Sequence, residues 1–172
     1  MSMNLYDISV KTSLQMLNAT IDLLKKAQAS FSETECDALL GYQLKDDMLP
    51  MAFQINSVRH HSLGSIEGMQ KGEFNPPPSL PEMDFAGYIA LLEEALDTLA
   101  SVGEQEVNAL TDKPMFFRMG KDFEIPFVTQ NFAISFSIPN LMFHATTLYD
   151  MLRIKGLEIG KKDFLGQMRA GH

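Results

Sequence analysis

Hydrophobic side chains recur at helical spacing along four long segments of the chain, and no segment of comparable length alternates with a period of two. In the first segment, from about Ser9 to Ala29, intervals of four, three, four and three residues separate Val10, Leu14, Leu17, Ile21 and Leu24. This spacing puts these side chains on one face of an amphipathic helix, for which Ser9 is a suitable N-cap. The pattern is typical of a helix that packs into a bundle.

The second and third segments have the same kind of apolar stripe, with recognisable ends. The second begins near Pro50, a residue favoured in a first helical turn, and ends near Gly72; its stripe is Met51, Ile55, Val58, Ser62, Ile66 and Met69. The third begins after Asp84, a candidate N-cap, and stops at Gly103; its stripe is Phe85, Ile89, Leu92, Leu96 and Leu99. Between the two, the proline-rich residues 75–81 predict a stiff, extended crossover.

The fourth segment, from about Phe127 to Lys155, is interrupted by Pro139. Proline removes one backbone hydrogen bond and clashes with the preceding turn, so we expect the helix to bend there. Directly before this segment, residues 115–126 predict a small β-hairpin that turns near Gly120. The four segments together predict an all-α fold, a four-helix bundle with a proline-kinked fourth helix.

Length, charge and cysteine content narrow the class of protein. At 172 residues the chain is expected to form a single domain over residues 1–172. No run approaches the roughly 20 apolar residues that cross a bilayer, and the N-terminus lacks the pattern of a signal peptide, so we expect a cytoplasmic protein with no membrane partner. The net charge of −8 disfavours nucleic acid as a partner. Cys36 stands alone, which excludes an intramolecular disulfide.

Three motifs carry a family resemblance. The most specific is Pro139-Asn140-Leu141-Met142-Phe143-His144, followed by Tyr149, Leu152-Arg153, Gly156 and the run from Gly160 to Gly166. The other two are Leu5-Tyr6-Asp7-Ile8 and Asp47-Met48-Leu49-Pro50 with Gln54 after it. In these motifs the chain resembles the DinB/YfiT-like superfamily of four-helix-bundle metalloenzymes. Within that superfamily it is similar to a branch catalogued only as a domain of unknown function, number nineteen ninety-three.

The resemblance implies the position of a metal site and a departure from it. Metal-binding members of the superfamily take one histidine from the second helix and two, four residues apart, from the fourth, ahead of a Leu-Arg-x-x-Gly ending. Aligning that ending places His144 at the last histidine, Asn140 at its partner and Gln54 at the second-helix position. Amide oxygens bind zinc or nickel far more weakly than imidazole does. We therefore expect a degenerate metal site with no cofactor, and a divalent metal at His144 is the alternative.

Other residues near the motif have structural as well as functional interpretations. We place Tyr149 in the same pocket, although it and Arg153 are also suited to supporting the bundle. His60 and His61 are expected to be surface or half-buried residues, and His61, about 10 Å beyond Gln54 along the helix axis, is expected to be too far away to share an ion with it. We expect three aromatic residues of the fourth helix to belong to the core, namely Phe132, Phe136 and Phe143.

These observations leave three hypotheses for the function, and they do not establish whether the protein is an enzyme. The first is a homodimeric bundle whose pocket, formed by Gln54, Asn140, His144 and Tyr149, binds a small molecule or uses His144 as an acid or base without metal. The second is a metal- or thiol-dependent transferase whose site is completed by water or substrate. The third is a structural or protein-interaction bundle whose polar residues only fix the helix register.

Overall fold

Most of the described chain, residues 3–170, is helical in the computed structural model, at 64% helix with a small three-stranded sheet. Within these residues the α-helices are α1 (Leu5–Ser30), α2 (Glu33–Leu40), α3 (Met51–Arg59), α4 (Ser65–Lys71), α5 (Phe85–Ala100), α6 (Glu104–Asn108), α7 (Thr129–Phe132), α8 (Ile138–Ile154) and α9 (Lys161–Leu165). The strands are β1 (Glu73–Phe74), β2 (Pro114–Met119) and β3 (Phe123–Val128). Two π-helical turns, His60–Gly64 and Ala133–Ser137, connect α3 to α4 and α7 to α8.

The first helix begins earlier than its apolar stripe predicted. Asn4 is the N-cap: its side chain accepts a hydrogen bond from the Asp7 amide at 2.8 Å, and the Asp7 carboxylate accepts one from the Asn4 amide. This reciprocal pair satisfies two amides that an unfinished helix end would leave free. Ser9, the predicted cap, instead lies inside α1 and donates its hydroxyl to the Leu5 carbonyl. The N-terminal prediction was therefore wrong by about one turn.

The core lies where the longer helices meet. α1 packs against α5, α8 and α9, and α3 packs against α5 and α8. The predicted stripe of the second segment is buried along its whole length, because all six of its residues are inside. The largest fully buried side chains come from α1, α3, α4, α5, α7, α8 and β2, and include Leu17, Met51, Ile66, Leu92 and Leu148. Burial of this apolar surface is the main force that holds the helices together.

The predicted hairpin is observed, with one additional strand beside it. β2 and β3 pair antiparallel, with Phe117 opposite Ile125, and Gly120 takes the left-handed conformation (φ 68°) in the turn between them. β1 pairs in parallel with the outer side of β2. This strand is only two residues long, too short to give a detectable alternating pattern.

The two π-helical turns change the phase of the second and fourth segments. A π turn carries one more residue than an α-helical turn, so the side chains after it are rotated around the axis. The interruption predicted at Pro139 takes this form: the Ile138 amide bonds to the Ala133 carbonyl, and Pro139 follows as the second residue of α8. The two turns also touch, because the Ser137 hydroxyl donates to the His61 carbonyl at 2.9 Å.

The phase change explains why one predicted core residue lies outside. Phe132 is fully buried and Phe136 is half-buried, but Phe143 is 60% exposed. The three would share one face only if the helix were continuous, and the π turn at 133–137 separates Phe132 from Phe143. Among the helices of residues 3–170, none is long and apolar enough to cross a membrane.

Candidate functional site

Gln54 of α3 and His144 of α8 meet where these two helices pack, with the glutamine buried and the histidine half-buried. The His144 Nδ1 atom lies 2.8 Å from the Gln54 Oε1 atom. Gln54 is almost completely buried, and its Nε2 atom donates to the Leu49 carbonyl at 3.0 Å. This second bond fixes the orientation of the amide, because turning it over would bring two oxygens together. The amide therefore presents its oxygen to the imidazole.

The orientation of the Gln54 amide fixes the tautomer of His144. An amide oxygen can only accept, so the Nδ1 atom of His144 must carry the proton. Burial lowers the pKa of His144 from 6.5 to about 4, and the ring is therefore neutral at physiological pH. In the neutral Nδ1–H tautomer the Nε2 atom holds a lone pair. His144 is thus held as an oriented hydrogen-bond acceptor.

His61 lies beside His144, which corrects the expectation that it was remote from the site. The two rings are nearly parallel, with centroids 5.8 Å apart, and His61 is 6% exposed. Burial, with the neighbouring His60 and His144, lowers the pKa of His61 to about 3. Its Nδ1 atom is buried without a hydrogen-bond partner among the described residues. The expectation of a surface or half-buried residue was therefore wrong for His61.

The π-helical turn at 60–64 places His60 and His61 differently. His60 stacks on Phe74 of β1, with centroids 4.3 Å apart, and its Nε2 atom donates to the Asn75 carbonyl at 2.7 Å. Gly64 makes room for this ring, because a Cβ atom there would lie 2.9 Å from the His60 Nδ1 atom. With His60 held on the sheet side, His61 points toward α8. Gly64, a glycine inside an otherwise apolar helical pattern, was the one signal in the sequence of this π-helical turn.

Asn140 and Tyr149, the other predicted pocket residues, have different partners. The Asn140 amide nitrogen donates to the Phe136 carbonyl, one turn back on its own helical segment, at 2.7 Å. Tyr149 packs edge-on against Phe164 of α9, with centroids 5.9 Å apart. Within residues 3–170 neither side chain is hydrogen-bonded to Gln54 or His144. That they line one pocket with His144 stays a prediction.

Two phenylalanine rings flank His144. Phe53 and Phe143 each lie edge-to-face with the imidazole, with centroids at 5.8 and 5.2 Å. Phe53 is half-buried and Phe143 is largely exposed, so the imidazole lies between an inner and an outer aromatic wall. Aromatic rings therefore contact the one oriented acceptor on both sides.

The donor set does not fit the metal that the superfamily implies. In the described chain, no cluster of three or more His, Cys, Asp or Glu residues could hold a metal ion. The Gln54 oxygen accepts from His144 and the Asn140 nitrogen donates to the Phe136 carbonyl, which leaves two imidazoles and the weakly donating Asn140 oxygen. Zinc sites in proteins use three or four imidazole, thiolate or carboxylate ligands. The arrangement therefore supports hydrogen bonding rather than metal coordination.

Comparisons with known proteins agree with this fold. The family model described as "Domain of unknown function (DUF1993)" matches residues 5–165. A crystal structure of a DinB family member from Shewanella denitrificans is similar over 98% of this chain and 95% of its own, with 27% sequence identity and a TM-score of 0.75. No curated protein matches the chain. The fold is DinB-like, and neither comparison names a reaction.

Proposed function

Since the chain belongs to the DUF1993 family, whose function is unknown, we propose from the geometry that it is a metal-independent, small-molecule-binding four-helix bundle. The four helices of this arrangement are α1, α3 with α4, α5, and α7 with α8. The ligand site is centred on His144, with Gln54 and His61 as its inner polar wall. The observation that supports it is the pair of hydrogen bonds that hold the His144 ring through Gln54 to the Leu49 carbonyl.

The chemistry of the site follows from the neutral imidazole. A lone pair on the Nε2 atom accepts a hydrogen bond from an O–H or N–H group of the ligand, and the Nδ1–H···Oε1 bond keeps the ring from rotating. Because the His144 pKa is about 4, the ring is a weak base, and binding is better supported than proton abstraction. The rings of Phe53 and Phe143 would contact the apolar body of the ligand.

Phenol tests this proposal, because it joins one O–H donor to an aromatic ring, and anisole is its matched control without the donor. We expect the nitrogen spectrum of the full chain at pH 7 to show His144 as the Nδ1–H tautomer. Phenol should shift the Nε2 resonance of His144, and anisole should not. An equal response to both compounds, or an unprotonated Nδ1 atom in His144, would contradict the proposal.

The variant His144→Phe separates a binding role from a purely structural one. If His144 binds the ligand, His144→Phe loses the heat of phenol binding, although Phe keeps a planar ring between Phe53 and Phe143. Under either role the variant leaves the buried Gln54 oxygen without its partner, which costs roughly 1–3 kcal/mol of unfolding free energy. Unchanged phenol binding by the folded variant, or a parent chain with no phenol response, therefore favours the structural hypothesis.

A further inference from the structure

The imidazole of His61, beside His144, is a buried polar group whose ring makes no hydrogen bond within residues 3–170. The residue is only 6% exposed, and its two ring nitrogens differ in access. The Nδ1 atom has no accessible surface, whereas the Nε2 atom is not among the buried, unpaired atoms of the described chain. Buried polar side chains normally have a partner. The Nε2 atom is therefore the ring nitrogen of His61 that a ligand can reach.

The surroundings of the Nδ1 atom determine which nitrogen of His61 carries the proton. The rings of His60, Phe74 and Phe136 pack around His61, with centroids 5.5, 5.4 and 6.0 Å from its own. Unpaired N–H groups are rarer in protein interiors than unpaired acceptors, so the proton is better placed on the accessible Nε2 atom. His61 then presents a donor at this nitrogen, whereas His144 presents an acceptor at its own Nε2 atom.

The separation of the two imidazoles suits a single bridging oxygen atom. The rings of His61 and His144 are within 15° of parallel, and their centroids are 5.8 Å apart. Two hydrogen bonds of roughly 2.9 Å each together span a gap of this size. A hydroxyl group can donate one hydrogen bond and accept another at the same oxygen. It therefore matches one donor and one acceptor that lie side by side.

We propose that His61 selects the polar group of the ligand: its Nε2–H group donates to the oxygen of a hydroxyl group that itself donates to the His144 Nε2 atom. The ligand class is then alcohols and phenols, in preference to N–H compounds of the same shape. An aromatic amine such as aniline donates well but accepts poorly, because its nitrogen lone pair is delocalised into the ring. This inference rests on the function proposed for His144, and it narrows the class of ligand.

The nitrogen spectrum of the full chain at pH 7 tests the donor role of His61 without any variant. We expect His61 to be the Nε2–H tautomer, the opposite of His144. Phenol should then shift the Nε2 resonances of both histidines. If His61 is the Nδ1–H tautomer, or if phenol shifts His144 alone, the selection by His61 is overturned while the function proposed for His144 stands.

Phenol and aniline, titrated into the parent chain and into His61→Phe, test the selection directly. The variant keeps a planar ring in the aromatic cluster and removes both nitrogens. We expect the preference for phenol over aniline to fall about three- to tenfold in His61→Phe, as loss of one hydrogen bond does. His60→Phe is the matched control, because the ring of His60 stacks on Phe74 and is bonded to Asn75. It should leave the preference unchanged.

The ratio of the two affinities distinguishes a hydrogen bond to the ligand from a structural role of His61. A ring that only supports the fold would change the affinities for phenol and aniline by the same factor. An unchanged ratio in His61→Phe, or an equal fall of the ratio in His60→Phe, would therefore overturn the selection by His61. No phenol response in the folded parent chain would overturn both this inference and the function proposed for His144.

Discussion

At the scale of single residues, the site is determined by imidazole rings that stay neutral because they are buried. Burial lowers the pKa of His61 to about 3 and that of His144 to about 4, whereas an unfolded histidine has a pKa near 6.5. Between these values the unfolded chain binds more protons than the folded chain. The contribution of these two neutral rings to the unfolding free energy is therefore complete above about pH 6.5, and it is lost as the pH falls through this window.

We predict that the unfolding free energy falls from pH 6.5 to pH 4.5, by up to about 1.4 kcal/mol per pH unit for each of these histidines. Urea unfolding at several pH values measures the slope. His61→Phe removes one titrating ring and should reduce the slope within this window. Carboxylates whose pKa is lowered, such as Asp7 and Asp163, contribute mainly below about pH 4.5. An unchanged slope in His61→Phe would refute the assignment to His61.

At the scale of elements, the π-helical turn at 60–64 sets the positions of His60 and His61. We predict that Gly64→Ala destabilises the fold by about 1–3 kcal/mol, because its Cβ atom would lie 2.9 Å from the His60 ring. The ring cannot move away freely, since it stacks on Phe74 and is bonded to Asn75.

At an ordinary helical glycine, replacement by alanine instead raises the unfolding free energy, by roughly 0.5–1 kcal/mol. Chemical unfolding therefore distinguishes the two cases directly. Gly41→Ala is the matched control, because the backbone of Gly41 lies in the right-handed helical region (φ −84°, ψ −5°) and the nearest atom to its Cβ would be 3.9 Å away. A more stable Gly64→Ala variant would show that the π turn does not depend on this close contact.

The same turns mark the limit of what the sequence predicts. Regular spacing of apolar residues located the four long helical segments and the hairpin, because these features depend on local periodicity. The family resemblance, in turn, placed Gln54 opposite His144. Neither predicted that His61 lies beside His144, since an extra residue in a helical turn depends on packing between segments. The bond between Asn140 and the Phe136 carbonyl likewise depends on the irregular helix before Pro139.

At the scale of the whole molecule, the chain shares its fold with a DinB family member. The similarity to the DinB family member extends over nearly all of both chains at 27% identity. Fold alone does not determine chemistry, because chemistry depends on the groups that the fold presents. At the sequence positions where the superfamily's metal ligands are expected, this chain has Gln54, Asn140 and His144, and His61 lies beside His144.

We therefore predict that the purified, tag-free protein contains far less than one zinc or nickel ion per chain, as measured by elemental analysis. Two imidazoles and a weakly donating amide bind such ions poorly, and the Gln54 oxygen already accepts from His144. The double variant Gln54→His with Asn140→His, which supplies the superfamily's three histidines, should take up about one zinc per chain. Near-stoichiometric metal in the parent protein, lost in His144→Ala, would contradict the prediction. Metal retained by His144→Ala would instead locate the ion away from the site.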